Sequence, residues 1–299
     1  MLEEQHLHYS PRNKVVQKML CDEACKAAPH GYRMHQCTNC GLEFADPLKA
    51  PNAEWYGHAY AALSLYPRAR WEYSKTIERI APGQAVMDIG CGSGYFLQLC
   101  QRAGLKATGM DFAINAVQIC KESGLDVALL DVFGSASTDG RKFDAITAFH
   151  VLEHMDSPRE LFDYAARLAK GGSRFYVSIP GRYRARRYFR ERDFLDQPPH
   201  HMLRWTERAL EQVPGSTGWK CVSIEHEPIS FRIKSWEISR RTSFYSKLTG
   251  KKSYFKITDK VARILLLPYA AWMLATTHRR LAGFSMLVTY EMGKSGRSV

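Results

Sequence analysis

The amino-acid sequence predicts an α/β fold built on a parallel β-sheet, and two observations carry that prediction. The apolar residues 85–87 run into the glycine-rich segment Asp88–Gly94, after which an amphipathic stretch begins with Tyr95 and Phe96. This order is typical of a buried strand, a tight turn and a helix, because glycine lets the backbone bend and lets a ligand approach it closely. Strand-like and helix-like segments then alternate with short connections as far as Pro180, which predicts parallel strands joined by right-handed crossovers.

The individual elements follow from the apolar runs and their spacing. Predicted strands after the first cover Lys106–Phe112, Asp126–Val132, Ala145–Phe149 and Arg174–Pro180, and a predicted helix covers Leu161–Gly172. Residues 51–80 are rich in aromatic side chains and end in a helix that leads into the first strand. Trp219–His226 and Gly283–Tyr290 are predicted to form the final antiparallel pair. Thr206 is predicted to cap the helix that begins at Glu207.

The spacing inside the glycine-rich turn distinguishes between two classes of nucleotide-binding protein. A nicotinamide-binding turn has its third glycine three positions after the second, whereas Gly94 follows Gly92 by two and the acidic Asp88 precedes Gly90 by two. The pattern D-x-G-x-G-x-G resembles the first motif of class I S-adenosylmethionine-dependent methyltransferases, and further motifs of that family follow in order between about residues 80 and 230. The resemblance implies a Rossmann-like seven-stranded methyltransferase sheet, parallel with an antiparallel final strand, and S-adenosyl-L-methionine as cofactor.

The resemblance also implies which residues hold the cofactor. Asp111 ends the second strand 21 residues after Gly90, where a carboxylate can accept hydrogen bonds from ribose hydroxyls. Asp131 ends the third strand, at the position that meets the adenine amino group in this family. The loop amides suit the carboxylate of the methionine end, and an acid near the loop suits its ammonium group. The cofactor-binding residues implied in this way are Asp88, Gly90, Gly92, Gly94, Asp111, Asp131 and His150.

Histidines near the ends of the later strands are candidates for the acceptor side of the site. His150-Val-Leu-Glu-His154 resembles the V-x-E-H stretch of quinone O-methyltransferases; the alternative is that Glu153 and His154 only maintain the strand–helix corner. Some members of that group are thought to bind a divalent ion there with two glutamates and the histidine, but His150 replaces the further acid. The loop containing His200 and His201 resembles the family's acceptor-facing loop, and either histidine could remove a proton because imidazole titrates near neutrality. The predicted catalytic residues are His154, His200 and His201.

Four cysteines near the N-terminus form two close pairs. Three residues separate Cys21 from Cys25 and two separate Cys37 from Cys40, with Gly41 after the last cysteine. Two such pairs are what a four-thiolate zinc site requires, and the segment resembles the ribbon that precedes many small-molecule methyltransferase domains. The sequence therefore predicts a small N-terminal zinc-ribbon-like module with a structural zinc ion. The alternative is a degenerate ribbon, or thiols that bind no metal.

Positive charge is concentrated in the last quarter of the chain. The formal net charge is +12, and residues 231–299 contain 14 basic but only 3 acidic side chains. Within them Ile264–Thr277 is uncharged and apolar, too short to span a bilayer as a helix but long enough to lie in its interface. We therefore expect peripheral membrane association through residues 253–280, although a buried cap or a dimer contact would have the same pattern. The arginine-rich segment Gly181–Arg192 suits an anionic acceptor or membrane, or is a solvated helix face.

Composition and motifs together define the expected function. No signal segment is visible and eight cysteines fit a reducing cytosol, so we expect a cytoplasmic enzyme, peripheral at the inner membrane surface. The predicted reaction is methyl transfer to a small-molecule acceptor, by O-methylation of a quinone-like, lipid-linked or anionic compound. C-methylation of a nucleotide-linked sugar is an alternative, as is an RNA-binding methyltransferase, although a motif typical of base methylation is missing and nucleic acid is not an expected partner. The predicted domains are a zinc-ribbon-like module (1–50), a lid helix (51–80), a SAM-binding core (81–230), a basic and apolar insertion (231–282), and a closing strand and tail (283–299).

Overall fold

A computed structural model describes residues 22, 26, 28–52, 54–56, 69–130, 140–182, 197–228 and 283–293. The chain divides into two units, one formed by residues 1–180, 194–225 and 286–299 and the other by residues 181–193 and 226–285. The expectations for Cys21, Cys25, Asp131, most of the arginine-rich segment and the insertion fall outside the described residues and stay predictions. Within the described part of the chain, no helix has the length and apolar character needed to cross a bilayer.

Strands and helices alternate through the larger unit as the sequence predicts. The strands are β1 Arg33–Gln36, β2 Glu43–Asp46, β3 Ala85–Ile89, β4 Lys106–Asp111, β5 Val127–Leu129, β6 Phe143–Phe149, β7 Ala169–Pro180, β8 Leu203–Arg204, β9 Trp219–His226 and β10 Ser285–Met292. The helices are α1 Trp71–Ile77, α2 Tyr95–Arg102, α3 Ile114–Glu122, α4 Pro158–Leu168 and α5 Glu207–Gln212, and a 3-10 turn covers Leu152–His154.

Seven strands form one sheet in the order β5-β4-β3-β6-β7-β10-β9. β3 pairs in parallel with β4 on one side and with β6 on the other, so that Asp88 lies opposite Gly109 and Thr147. The amide of Gly293, just after the end of β10, donates to the carbonyl of Gly218, just before the start of β9. Because the end of one strand lies beside the start of the other, β9 and β10 are antiparallel. One of the seven strands is antiparallel, and the predicted Rossmann-like methyltransferase sheet is confirmed. The strand order reverses at β3, because β4 and β5 lie on one side of it and β6 and β7 lie on the other. In sheets of this kind, the binding crevice lies outside the carboxyl ends of the strands at the point of reversal.

The helices are positioned by amphipathic faces. On α2, Phe96, Leu97 and Cys100 are buried against the sheet, at the spacing of one helical face. The predicted helix Leu161–Gly172 was wrong at its end, because α4 stops at Leu168 and Ala169 already pairs with Phe143 as part of β7. Glycines are poor helix formers, and two of them follow Lys170, so the chain extends here instead of continuing the helix.

A second, three-stranded sheet has the order β1-β2-β8. The turn between β1 and β2 contains the second cysteine pair, and the amide of Gly41 donates to the carbonyl of Cys37 at 2.9 Å. β2 pairs with β8 so that Glu43 lies opposite Arg204, and these two side chains form an ion pair at 3.1 Å. The N-terminal hairpin is thereby attached to the strand that directly follows His201.

Candidate active site

A cavity of about 410 Å³ opens at the carboxyl ends of β3, β4 and β6, within the range of small-molecule sites. It is lined on the β3–β4 side by the glycine-rich turn and Asp111, and on the β6 side by His150 and His154. Tyr56 and Arg70 also line the cavity. One cavity therefore joins four of the predicted cofactor-binding residues, Gly90, Gly92, Asp111 and His150, to one of the predicted catalytic histidines.

The glycine-rich turn depends on glycine for steric reasons. Gly90 and Gly94 have φ angles of 77° and 78°, a left-handed conformation that side chains disfavour. A Cβ atom at Gly90 would lie 2.5 Å from Val151 Cγ2, and one at Gly94 would lie 2.3 Å from Leu125 Cδ1. The turn therefore cannot accept alanine at either position without local movement.

The backbone amides of this turn are largely used within the protein. Those of Gly90 and Cys91 donate to the carbonyl of Met110, and that of Gly94 donates to the carbonyl of Cys91. The amide of Gly92 donates to Asp111 Oδ2 at 2.8 Å. These four amides are therefore already bonded within the protein, and the expectation that loop amides hold the methionine carboxylate stays a prediction.

Asp111 is held by the backbone and faces the cavity. Its Oδ1 accepts a hydrogen bond from Ala113 N at 2.9 Å, while Oδ2 accepts the one from Gly92. Burial raises the pKa of Asp111, and the bonds from these amides oppose that rise. An ionised carboxylate has about four acceptor positions, so each oxygen can accept one more hydrogen bond. This arrangement fits two adjacent ribose hydroxyls.

Asp88 lies in a different environment from Asp111. It is 2% exposed, and the hydroxyl of Thr147 donates to its Oδ1 at 2.7 Å. Burial raises its pKa to about 7. It does not belong to the cavity lining, so it lies behind the glycine-rich turn in this structure.

His150 bridges two buried carboxylates. Its Nε2 lies 2.9 Å from Glu72 Oε1 and its Nδ1 lies 3.0 Å from Glu153 Oε1, and each glutamate side chain is only 1% exposed. Burial alone would lower the pKa of His150, but the two carboxylates raise it. The pKa of Glu153 falls to about 2, because His150 outweighs the opposite effect of burial. Both ring nitrogens are thus engaged by protein groups, which leaves the ring face and backbone of His150 for any cofactor contact.

His154, His200 and His201 lie together although two segments supply them. Their ring centroids are 4.7 to 4.9 Å apart. His154 lines the cavity, whereas His200 and His201 are 6% exposed and are not part of the lining. Burial lowers the pKa of His154 to about 4. Of the three predicted catalytic histidines, His154 is the one that reaches the cavity.

Three residues of the site were not found from the sequence. Glu72 lies in α1, and Arg70 is the residue before that helix. Charged side chains on a short helix are ordinarily exposed, so the sequence carries no local sign that these two would be buried or line a site. Arg70 lines the cavity and lies 3.6 Å from Glu72 Oε1. The ring centroid of Tyr56 lies 5.4 Å from that of His154. Tyr56 belongs to the aromatic-rich segment 51–80, in which no sequence feature distinguishes it from the other aromatic residues.

The second cysteine pair has a polar, turn-like geometry. Hydrogen bonds from the backbone amides of Cys40 and Asn39 lower the pKa of the Cys37 thiol, which favours the thiolate form that binds metal. Because Cys21 and Cys25 fall outside the described residues, the four-cysteine zinc site stays a prediction.

Comparison with known proteins identifies the family. A family model described as a methyltransferase domain matches residues 65–224, which is more than half of the chain. The chain therefore belongs to that family, and its fold and site define it as a class I S-adenosylmethionine-dependent methyltransferase. S-adenosylmethionine is the cofactor of this class.

The similar proteins include ubiquinone biosynthesis O-methyltransferases. That of Methylococcus capsulatus is 34% identical over 104 residues, which cover 32% of this chain and 44% of the relative. That of Salmonella enteritidis PT4 is 30% identical over 106 residues, covering 33% and 44%. The matched part spans less than half the length of these relatives. Among solved structures, the [4+2]-cyclase SpnF aligns with a TM-score of 0.52 and 16% identity over 82% of this chain and 98% of that chain, a similarity that shows the fold alone.

Proposed function

We propose that this protein transfers the methyl group of S-adenosylmethionine to an oxygen atom of a small-molecule acceptor that binds beside His154. The observation that carries the proposal is the single cavity that contacts both Asp111 and His154. A cofactor held by its ribose at Asp111 would extend along the carboxyl ends of β4 and β3 towards β6. An acceptor beside His154 would then lie within reach of it.

The residues around the turn fit the two ends of the cofactor. Asp111 can accept hydrogen bonds from the ribose hydroxyls with the acceptor positions that Gly92 and Ala113 leave open. Arg70 supports the methionine carboxylate, because it lines the cavity and a guanidinium matches a carboxylate in shape and charge. When bound, the cofactor supplies a methyl group on a positively charged sulfur, ready for in-line displacement.

His154 supports the removal of a proton from the acceptor. Its Nδ1 contacts the carbonyl of His200, and since a carbonyl can only accept, Nδ1 carries the hydrogen and Nε2 the lone pair. The lowered pKa keeps this imidazole neutral near pH 7. Glu153 Oε1 lies 4.0 Å from Nε2 and would stabilise the imidazolium that forms as the acceptor hydroxyl loses its proton.

The acceptor class is proposed from the relatives and the sequence together. A phenolic, quinone-like hydroxyl is the acceptor that the ubiquinone biosynthesis relatives favour, and it is acidic enough for a weak base such as His154 to assist. The lipid-linked or anionic nature of this acceptor and the association with a membrane surface rest on the basic C-terminal quarter of the sequence.

Calorimetry with S-adenosylhomocysteine tests the cofactor site. Asp111→Asn should weaken binding about 30-fold, because one hydrogen bond to a charged group contributes about 2 kcal/mol. Asp163→Asn, a change of an exposed acid on α4, should leave binding unchanged. Equal affinity of the wild type and a folded Asp111→Asn variant would refute the ribose assignment.

The acceptor class is tested separately, by an assay of methyl transfer. Transfer to catechols but not to nucleotide-linked sugars would support the proposed acceptor class, and the reverse result would replace it with the sugar alternative.

A further inference from the structure

The three neighbouring histidines have the composition of a metal site rather than of a hydrophobic core. One ring nitrogen from each of His154, His200 and His201 lies within 4.8 Å of those of the other two. His200 and His201 are buried and the side chain of His154 is 11% exposed, and a buried polar ring costs free energy unless its nitrogens are satisfied. Neutral imidazole is a common ligand of transition-metal ions.

The hydrogen bond of His154 prepares its ring for a metal ion. Nδ1 donates to the carbonyl of His200, which leaves the lone pair of Nε2 available. Histidines that bind metal ions usually donate their other ring nitrogen to a carbonyl or carboxylate in this way, because the bond fixes both the tautomer and the ring orientation.

A second observation that points to a cation is the state of Glu153. Its Oε1 lies 3.9 Å from His201 Nε2 and 4.0 Å from His154 Nε2. Its Oε2 is buried and, within the part of the chain that the structure describes, has no hydrogen-bond partner. An unsatisfied buried carboxylate oxygen is costly, and a nearby divalent cation would offset that cost.

We propose that His154, His200 and His201 bind one divalent cation of the class that prefers imidazole ligands, such as Zn²⁺, with Glu153 as the neighbouring negative charge. A metal ion about 2.0–2.1 Å from each nitrogen in a tetrahedral site holds the nitrogens about 3.3 Å apart, so nitrogens that lie up to 4.8 Å apart must approach one another by up to about 1.5 Å on binding. The site differs in its ligands from the predicted cysteine site. It also excludes His150, because both ring nitrogens of that residue contact glutamates.

The position of the site has a consequence for the acceptor. Three protein ligands leave a fourth position open, as in catalytic rather than structural zinc sites. His154 lines the cavity, so the open position would be available to an acceptor oxygen. The ion and a transferred proton would then compete for the same lone pair of His154. This consequence rests on the proposed function, whereas the binding of the ion does not.

Cobalt titration of the metal-free, full-length protein tests the proposal. It is performed without cofactor or acceptor, on wild type and on a Cys37→Ser/Cys40→Ser background that removes the second cysteine pair. We expect about one Co²⁺ per chain on that background, with visible d–d absorption and no thiolate-to-cobalt charge-transfer band, displaced by Zn²⁺. On the same background His201→Gln should weaken binding more than 100-fold, and Glu153→Gln about 10- to 100-fold, as expected of an outer partner.

His35→Ala provides the matched control, because it removes an imidazole whose side chain is 49% exposed and lies in β1. It should leave cobalt binding unchanged. The proposal is overturned if the Cys37→Ser/Cys40→Ser background binds no cobalt, or if His201→Gln binds as well as its parent, or if His35→Ala loses binding equally. Should His201→Gln fail to fold, the zinc-induced rise in unfolding temperature of the Cys37→Ser/Cys40→Ser parent decides, and its absence overturns the site. The cobalt titration and the calorimetry of Asp111→Asn are independent: a negative result in one does not change the interpretation of the other.

Discussion

The buried bridge Glu72–His150–Glu153 gives the most specific prediction about stability. His150 has a φ angle of 56°, so a test must keep a residue that tolerates the left-handed conformation. Asparagine does so but is too short to reach both carboxylates. His150→Asn therefore removes the bridge while leaving the backbone preference largely unchanged.

The expected cost follows from the two contacts at 2.9 and 3.0 Å. Each hydrogen bond to a charged group contributes about 1.5–3 kcal/mol, and removal of one partner of a buried ion pair costs about 3–5 kcal/mol. We expect His150→Asn to lower the free energy of unfolding by about 4 kcal/mol, since Glu72 and Glu153 then share the buried region without the cation between them. Urea unfolding followed by circular dichroism measures this loss.

A double-mutant cycle separates the bridge from simple loss of packing. Glu72→Gln added to His150→Asn should recover about 2 kcal/mol, because one of the two buried carboxylates that have lost His150 is neutralised. If the two changes are additive within about 0.5 kcal/mol, the carboxylates do not act through His150 and the reasoning fails.

The difference in free energy of unfolding between the wild type and His150→Asn should change with pH in a definite direction. The pKa of His150 is raised in the folded state from its ordinary value of 6.5. Its contribution is therefore complete below about pH 6.5 and is lost as pH rises through the folded pKa. Glu72 and Glu153 have lowered pKa values and stay ionised throughout. The stability difference between wild type and His150→Asn, measured on metal-free protein, should narrow above pH 6.5; a widening would contradict the assignment of charge.

Two further predictions concern residues outside the bridge. Because burial raises the pKa of Asp88 from 3.8 to about 7, its ionisation destabilises the folded protein as pH rises; Asp88→Asn should gain about 3 kcal/mol relative to wild type between about pH 5 and about pH 8.5. A difference that does not change with pH in urea unfolding would show that Asp88 is not buried as an acid. Thr206 accepts a hydrogen bond from Ala209 N at 3.1 Å and donates to the carbonyl of Cys40 at 2.6 Å. Thr206→Ala should therefore cost about 1–2 kcal/mol, and thermal unfolding that shifts no more than for the exposed control Thr38→Ala would refute the cap.

The sequence predicted the elements whose signals are local. The glycine-rich turn, the alternating strands and the cap at Thr206 depend on residues that are neighbours in the chain, and each is where it was expected. The end of α4 was misplaced because the prediction carried the helix as far as Gly172, whereas the pairing of Ala169 with Phe143 on β6 ends it at Leu168. Such pairing is tertiary and leaves no mark in a short window of sequence.

The acceptor side of the site was only partly predictable, for a similar reason. His154, His200 and His201 could each be proposed from a motif, but their mutual contact depends on where the chain brings the 3-10 turn after β6 and the segment before β8. Glu72 was missed because an acid on a short helix is ordinarily exposed. Its burial is compensated by His150, which is 78 residues away in the chain, together with Arg70.

The backbone amides of the glycine-rich turn donate hydrogen bonds within the protein, which limits the part they can play in binding the cofactor. A backbone group that already donates within the protein, as Gly92 does to Asp111, contributes rigidity to the site rather than direct binding of an anion. The glycines are therefore required for conformation and close packing. In the proposed function, charge recognition passes to side chains from other elements: Asp111 accepts hydrogen bonds from hydroxyl groups, and Arg70 donates to a carboxylate. On this reasoning Arg70→Lys should weaken cofactor binding, because an ammonium group cannot reproduce the paired donors of a guanidinium.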